Sequence, residues 1–327
     1  MIILEISKYK DNFTDHQLPF VTEQGEALRQ AGCDVHYHLV RGNYLTAVRP
    51  LRRVIRDIQP DVVHAHYGLS GITAVLATRL LQSNAHRPRL VITFHNGETL
   101  NWHVNLLSSF FSLFADYVIY VAQHIHDLCY FKARHYSVLP CGVNLNELPL
   151  TDYADARRQL GWNADKKYIL FGGAFTNTRK NVALLRDAVA LTQRNDVEII
   201  EMSGLSRSEC ALRMCACDLF ALPTHSEGSP QALKEAMACN CPIVATDVAD
   251  IAHLLGDMPG HFLLRNPRRT KERWDGDEHS VAEMAELVQC ALACNFRTQG
   301  RQRIIDLGLT NDQVAAKLME IYVTKLN

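Results

Sequence analysis

The hydrophobic pattern of the chain is a series of short, almost wholly apolar runs that alternate with amphipathic stretches. Such runs predict strands buried on both faces of a parallel sheet, and the stretches between them predict the covering helices. In the first half, the predicted strands are Ile2–Ile6, Val35–Val40, Val62–His64, Leu90–Phe94 and Tyr117–Val121, and the predicted helices include Phe20–Ala31, Ala47–Asp57 and Ile72–Leu81. The pattern indicates an α/β domain.

The same alternation starts again after a break. Pro and Gly residues in Val138–Asn144, followed by a polar stretch, separate the two halves. The second half contains the predicted strands Tyr168–Gly172, Val197–Met202, Leu219–Leu222 and Ile243–Ala245, the predicted helix Val182–Thr192 and a final helical stretch, Asn311–Lys325. We expect two Rossmann-like parallel-sheet domains facing across a cleft, residues 1–145 and 146–310, with 311–327 completing the first. Ligands of such sheets bind beyond the carboxyl ends of the strands.

The composition of the chain limits which partners it can bind and indicates its cellular compartment. The net charge of −1 at pH 7 over 327 residues provides no basic field for nucleic acid. Ten cysteines without a secretory leader predict a reducing compartment, the cytoplasm. The C-x-C pairs Cys215–Cys217 and Cys239–Cys241 do not have the usual spacing of zinc ligands and predict buried thiols. The apolar tract Leu106–Val121 is too short and too polar to span a membrane, and it predicts a buried helix leading into a strand.

Two glutamates stand eight positions apart in the stretch HSEGSPQALKEAMACNCPIVATD, which follows a predicted strand. Ser229 is predicted to cap the next helix and Pro230 to take its first position, so that backbone N–H groups near Gly228 would attract an anion. Carboxylates accept paired hydrogen bonds from vicinal hydroxyls. Glu227 and Glu235 on either side of a bound diphosphate would therefore suit a nucleotide-sugar. The alternative interpretation of Glu227 is a surface acid beside a capped helix.

This stretch resembles the E-x(7)-E signature of the retaining glycosyltransferases of family 4, which have the GT-B fold. The resemblance continues, in the family's order, through PDVVHAHYGLSG (Pro60–Gly71), VITFHNGE (Val91–Glu98), VLPCGVN (Val138–Asn144) and ILFGGAFTNTRKNVALL (Ile169–Leu185). It implies a retaining, metal-independent hexosyltransferase without a cofactor. The implied donor is a nucleotide-diphosphate sugar, and the implied acceptor is a glycan or a lipid-linked sugar.

The resemblance also implies roles for individual residues. Glu227 would contact the hydroxyls of the donor sugar, Glu235 the ribose and Lys180 the diphosphate, while His95 would reach the donor from the first domain. The acceptor would meet the loop Tyr9–Pro19 and Trp102. The implied catalytic residues are Lys180, Glu227 and His95, and the implied donor-binding residues are Gly173, Lys180, Glu227, Gly228, Ser229, Gln231 and Glu235.

Four features depart from the family pattern. The stretch SKYKDNFTDHQLPF after the first strand lacks the usual Gly-Gly, and Ala174 stands where an arginine usually accompanies the phosphate-binding lysine. His253 replaces an acidic residue, and Asn240 replaces a glycine while retaining access to the left-handed backbone conformation. Each change would weaken a donor contact without removing the two glutamates.

Two clusters have less specific interpretations. His64 and His66 point to one face of a strand, which suits either a metal or packing; no third ligand is evident at a suitable spacing, so a structural role is favoured. The arginines of the second predicted helix form the solvated face of an amphipathic helix or, alternatively, a patch that touches anionic lipid at the inner face of a membrane. These arginines are Arg49, Arg52, Arg53 and Arg56.

Other functions remain as alternatives. A catalytically degenerate GT-B scaffold that binds a nucleotide-sugar or a partner would explain the lost arginine and the lost Gly-Gly loop. A nucleotide-sugar epimerase would share the two-domain plan but lacks this form of the E-x(7)-E block. An NAD-dependent dehydrogenase is excluded because no G-x-G-x-x-G follows the first strand.

Overall fold

The computed structural model describes residues 1–8, 18–80, 87–265 and 278–324. Contacts divide the chain into two compact units, Met1–Gly142 with Leu309–Asn327, and Val143–Gly308. Each unit is built on one sheet whose described strands all pair in parallel, as the alternation of apolar runs and amphipathic stretches predicts. The predicted α/β class with two parallel-sheet domains is confirmed.

Unit 1 contains a six-stranded sheet with the order β2-β1-β3-β4-β5-β6. Its strands are β1 (Ile2–Lys8), β2 (Asp34–Val40), β3 (Val62–His66), β4 (Arg89–Phe94), β5 (Tyr117–Tyr120) and β6 (Tyr136–Val138). Its first helices are α1 (Pro19–Gln30), α2 (Val48–Ile58), α3 (Gly68–Val75, extended by a π turn over Leu76–Leu80), α4 (Trp102–Ser112) and α5 (Gln123–Leu128).

Unit 2 contains a five-stranded sheet with the order β11-β10-β9-β7-β8. Its helices and strands are α6 (Tyr153–Leu160), β7 (Lys167–Phe171), a 3₁₀ turn (Thr178–Lys180), α7 (Val182–Leu191), β8 (Val197–Glu201), α8 (Arg207–Ala216), β9 (Leu219–Leu222), α9 (Gln231–Ala238), β10 (Ile243–Thr246), α10 (Ile251–Leu255), β11 (His261–Leu264), α11 (Glu278–Leu292) and α12 (Gly300–Asp306). The thiols of Cys215, Cys217, Cys239 and Cys241 are buried and unbridged, and their predicted burial is confirmed.

The last helix, α13 (Asn311–Val323), belongs to unit 1. It begins with a capping box between Thr310 and Gln313. Its apolar residues pack with β1, β3 and β4 in one buried cluster. The hydroxyl of Tyr322 lies 2.6 Å from Nδ1 of His64, so a buried polar contact also joins α13 to the sheet.

Helix α4 departs most from its prediction. The tract does form a helix that leads into a strand, β5, but the predicted burial of its apolar side is wrong. The side of α4 with small polar residues faces inward, because small residues allow α4 to pack closely against α3. At the closest point, a Cβ added to Gly68 would lie only 2.4 Å from Cβ of Ser108. The buried residues of this side are Asn105, Ser108, Ser109 and Ser112.

The basic helix α2 agrees with its first interpretation. Val48, Leu51 and Ile55 are buried on one side, whereas Arg49 and Arg53 are exposed on the other. The arginines therefore form the solvated face of an amphipathic helix. No helix within the described ranges has both the length and the hydropathy that crossing a membrane requires.

Candidate active site

Two loops of unit 2 meet beyond the carboxyl ends of β7 and β9, which are neighbours in the sheet. The loop after β7 ends in the 3₁₀ turn, and the loop after β9 leads to α9. The backbone N–H of His225 donates to the carbonyl of Arg179 at 2.9 Å, and the hydroxyl oxygen of Thr224 lies 3.2 Å from the same carbonyl oxygen. These contacts hold the two loops together at the edge where ligands of parallel sheets bind.

Lys180 and Glu227 form an ion pair at this junction. Nζ of Lys180 donates to Oε1 of Glu227 at 2.6 Å, and the hydroxyl of Thr224 donates to the same oxygen at 3.0 Å. The side chains of Lys180 and Glu227 are only 13% and 9% exposed. The stem of Lys180 lies against Gly173, where a Cβ would come within 3.1 Å of Cγ of Lys180. Gly173 therefore leaves the space that the lysine occupies.

The start of α9 differs from its prediction. Pro230, with φ −68° and ψ 114°, is the N-cap residue, and the helix begins at Gln231. The predicted N-cap at Ser229 and first position at Pro230 are therefore wrong by one residue, because the extended ψ of Pro230 keeps it outside the helix. Gly228 is buried, whereas Ser229 and Gln231 are partly exposed. The three residues still lie directly before or at the amino end of α9.

Glu235 is buried on α9, and its partner was not identified from the sequence. Nη1 of Arg207 donates to Oε1 of Glu235 at 2.7 Å. Arg207 is the first residue of α8, directly after the capping Ser206. In the sequence, Arg207 could have been identified as a basic residue at the start of a helix that follows a strand. Arg207 brings a positive charge to the carboxylate that the resemblance assigns to the ribose.

A further acid lies beside the start of α9. Burial raises the pKa of the Asp250 carboxyl, while the hydroxyl of Ser229 and the ammonium of the fully buried Lys234 oppose that rise. Asp250 lies three residues before His253, the residue that replaces an acid of the family pattern. His253 is exposed. Asn240 has φ 57°, so the replacement for glycine does adopt the left-handed conformation.

In unit 1, His95 follows β4 and belongs to a hydrogen-bonded chain. Nε2 of His95 lies 3.1 Å from Nδ1 of His66, and Nε2 of His66 lies 2.7 Å from Oε2 of Glu5. Glu5 and His66 are buried, and the ring of Phe20 packs on His95 with centroids 4.9 Å apart. The chain runs from a buried carboxylate to a partly exposed imidazole at a strand end.

The protonation of this chain follows from the pKa shifts. Burial opposes the ionisation of Glu5, but the adjacent His64 and His66 outweigh it and hold the pKa of Glu5 well below its usual range. Burial lowers the pKa of His66. An ionised Glu5 accepts the proton of Nε2 of a neutral His66, so Nδ1 of His66 accepts a hydrogen bond from Nε2–H of His95. Glu5 thereby selects the tautomer of both histidines.

Glu5, His64 and His66 also form a group whose potential metal-ligand atoms lie within 4.8 Å of one another. Sequence spacing alone shows no third ligand, but the pairing of strands adds Glu5, because Glu5 on β1 is aligned with His64 on β3. Each ring nitrogen of His64 and His66 already has a protein partner: those of His64 contact Tyr322 and Thr93. The geometry matches a hydrogen-bonded network.

Of the predicted acceptor region, Trp102 is the exposed first residue of α4. In the predicted loop Tyr9–Pro19, residues 9–17 lie outside the described residues. Ala174, where an arginine was expected, is partly exposed within the loop after β7.

Comparison with known proteins identifies the family. The model of Glycosyltransferase Family 4 matches residues 35–147, and that of Glycosyl transferases group 1 matches residues 200–274. This chain belongs to the family 4 type of GT-B glycosyltransferases. The first match includes His66 and His95, and the second includes Arg207, Glu227 and Glu235.

A curated relative matches part of this chain, and two solved structures share its fold. The putative teichuronic acid biosynthesis glycosyltransferase TuaC of Bacillus subtilis (strain 168) is 26% identical over 240 residues, which cover 64% of this chain and 59% of TuaC. The chain thus spans about three fifths of that relative's length. Sucrose-phosphate synthase from Thermosynechococcus elongatus has a TM-score of 0.78 at 18% identity, covering 98% of each chain. Anabaena HepE in complex with UDP and glucose has a TM-score of 0.73 at 16% identity, covering 99% of each chain.

Proposed function

We propose that this glycosyltransferase is a retaining enzyme that transfers a hexosyl group from a nucleotide-diphosphate sugar to a glycan or a lipid-linked acceptor, without a bound metal. The observation that carries the proposal is the Lys180–Glu227 ion pair, held where the loops after β7 and β9 join. A nearly buried ammonium at this position is suited to the negative charge of a departing diphosphate.

In the proposed reaction, the bond between the anomeric carbon and the diphosphate oxygen breaks, and a bond from the acceptor oxygen forms on the same face. The acceptor proton passes to the leaving phosphate oxygen. Lys180 stabilises the developing charge, which in a site with little water has a larger effect than in solution. Glu227 orients the lysine and accepts from the hydroxyls of the sugar, so positioning of the reactants provides much of the remaining acceleration.

The binding of the nucleotide is proposed to involve the start of α9, with Gly228, Ser229 and Gln231 near the phosphates and Glu235 accepting from the ribose. The relatives indicate which substrates to test first. TuaC is named for teichuronic acid biosynthesis, and the HepE structure contains UDP and glucose. A uridine donor and a polysaccharide acceptor are therefore the first choices.

The second candidate function is a degenerate scaffold that binds a nucleotide-sugar without turnover. The observation that favours it is Ala174, because the phosphate would lack the guanidinium that usually supports the lysine. Because both functions predict binding of the nucleotide-sugar, only a measurement of turnover distinguishes the transferase from the scaffold.

The test is release of nucleoside diphosphate from a panel of hexose donors in the presence of polyprenyl-linked sugar and glycan acceptors. We expect turnover with one donor, a product whose anomeric proton shows the donor's configuration, and a loss of at least about 100-fold in kcat for Lys180→Ala. The control is Lys166→Ala, which removes an exposed lysine paired with Glu198 at 3.0 Å in the same unit. Donor binding without turnover would favour the scaffold, and an inverted product would contradict the retaining mechanism.

A further inference from the structure

Helix α4 of unit 1 has its apolar side in contact with solvent. Trp102 is 67% exposed, Leu107 49% and Phe110 42%. A surface helix normally buries its apolar side and exposes its polar side, so the orientation of α4 is reversed. We define the α4 face as the exposed apolar residues at and just after this helix: Trp102, Leu106, Leu107, Phe110, Leu113 and Phe114.

Internal hydrogen bonds explain how α4 tolerates a buried polar side. The hydroxyl of Ser109 donates to the carbonyl of Asn105 at 2.6 Å, and that of Ser112 donates to the carbonyl of Ser109 at 2.7 Å. The serine side chains thus bond to their own helix. The reversed orientation therefore belongs to the packing of α4 against α3, and a rotation of the helix would lose these contacts.

The α4 face continues onto the segment after α5. The side-chain amide of Asn105 donates to the carbonyl of Leu128 at 2.9 Å, and the ring centroids of Phe110 and Phe131 lie 5.6 Å apart. Leu128, Tyr130 and Phe131 are exposed. An exposed apolar surface of this size on one side of a unit marks an interaction site.

The charges around the α4 face are basic. Residues 99–115 and 128–142 contain no Asp or Glu, whereas Lys132 and Arg134 are exposed beside Phe131. Two acids lie at the ends of these ranges, and both accept hydrogen bonds within the unit. Asp127 accepts from Gln123 at 2.7 Å and His126 at 3.1 Å, and Asp116 accepts from Arg79 and from the backbone N–H of Leu90. Helices α2, α3 and α4 pack side by side, so the exposed arginines of α2 lie in the same helical layer.

We propose that the α4 face binds the surface of an anionic lipid bilayer. The apolar side chains of the α4 face would enter the interface, and Lys132 and Arg134 would contact the headgroups. Trp102 and Tyr130 have the amphipathic rings that occupy membrane interfaces. Lipid binding by this face does not depend on the proposed transferase activity.

The experiment is co-sedimentation of the full chain with vesicles of phosphatidylglycerol and phosphatidylcholine, and with vesicles of phosphatidylcholine alone. We expect binding to the anionic vesicles, reduced at least about tenfold in Leu107→Ser/Phe110→Ser and in Lys132→Glu/Arg134→Glu. Because these side chains are exposed, the variants should keep the far-UV circular dichroism of the wild type. The matched control is Leu191→Ser, which changes a 55% exposed leucine in unit 2 and should leave binding unchanged.

Absence of wild-type binding to anionic vesicles would overturn the proposal, and so would equal binding by folded Leu107→Ser/Phe110→Ser. Light scattering tests the other possible partner of the α4 face, a second copy of this chain. A dimer that Leu107→Ser/Phe110→Ser converts to a monomer, without vesicle binding, would assign the α4 face to a second copy of the chain and would also overturn the proposal.

Discussion

Nζ of Lys180 lies 2.6 Å from Oε1 of Glu227, so the cation assigned to the diphosphate and the carboxylate assigned to the sugar are in direct contact. In the proposed reaction, these two groups act on either side of the bond that breaks. Their contact orients the lysine before the donor arrives. The ion pair therefore links the stability of unit 2 to its proposed chemistry, and double variants can separate these two effects.

Lys180→Met should lower the free energy of unfolding by about 1–3 kcal/mol, because Glu227 would remain nearly buried without its cation. Lys180→Met/Glu227→Gln should recover most of that stability, because no charge remains unpaired, but should not recover kcat. Urea unfolding and initial rates of the four proteins in this cycle measure both quantities. Recovery of turnover in the double variant would show that the pair is only structural.

Arg207→Gln should weaken the binding of the nucleoside diphosphate by about threefold to tenfold. Arg207 orients Glu235 and reduces the repulsion between this carboxylate and the diphosphate, and a polar contact of this kind contributes about 1 kcal/mol. Calorimetric titration gives the affinity. The control is Arg213→Gln, which removes another arginine of α8. Equal weakening by both variants would indicate a general charge effect and contradict a specific role for Arg207.

Glu5→Gln should lower kcat by at least about tenfold with little change in donor KM, because a neutral acceptor no longer selects the tautomers of His66 and His95. The ¹⁵N shifts of His95 should report protonation of Nε2 in the wild type and a mixture of tautomers in the variant. The control is Tyr322→Phe, which removes the hydroxyl that contacts His64 in the same cluster. It should lower the free energy of unfolding by about 1 kcal/mol and leave kcat unchanged. An unchanged ¹⁵N spectrum in Glu5→Gln would refute the positioning role.

Glu98 should make the chain less stable as the pH rises from 4.5 to 7. Burial raises its pKa from 4.5 to about 7, although the N–H groups of Gly68 and His95 donate to its carboxylate. Between these pH values the unfolded chain releases the proton that the folded chain keeps, so the free energy of unfolding falls by up to about 1.4 kcal/mol per pH unit from this group.

Denaturant unfolding at pH 5, 6 and 7 (about one unit apart across this window) should therefore show a less negative slope for Glu98→Gln than for the wild type. Comparing slopes removes any constant effect of the substitution on packing. Identical slopes would mean that Glu98 ionises normally in the folded chain.

Much of the fold could be predicted because short apolar runs such as Val62–His64 and Leu219–Leu222 alternate with amphipathic stretches, a pattern typical of a parallel sheet covered by helices. Helix α4 shows the limit of that reasoning. The tract is apolar enough to predict a buried helix, but the decisive interaction is the close approach of Ser108 to Gly68 on α3. Small residues on two separate elements determine which side faces inward, and the periodicity of one element does not contain that information.

The candidate site shows the same division. Glu227 and Glu235 were predicted from one stretch and Lys180 from another, through the resemblance to family 4, whereas contacts between distant residues depend on strand order. Glu5 lies 61 residues before His66, and only the pairing of β1 with β3 brings them together. Arg207 likewise reaches Glu235 across 28 residues. Contacts of this kind require the topology as well as the motif.

The most direct measurement is calorimetric titration of the wild type and Glu235→Gln with UDP, GDP, ADP and dTDP. The proposed donor site predicts saturable, one-to-one binding of one of these nucleotides, UDP first, and a loss of affinity of at least about tenfold in Glu235→Gln because a ribose hydroxyl loses a charged acceptor. Binding of none of the four nucleotides, or equal binding by the variant, would contradict the assignment of unit 2 as the donor site.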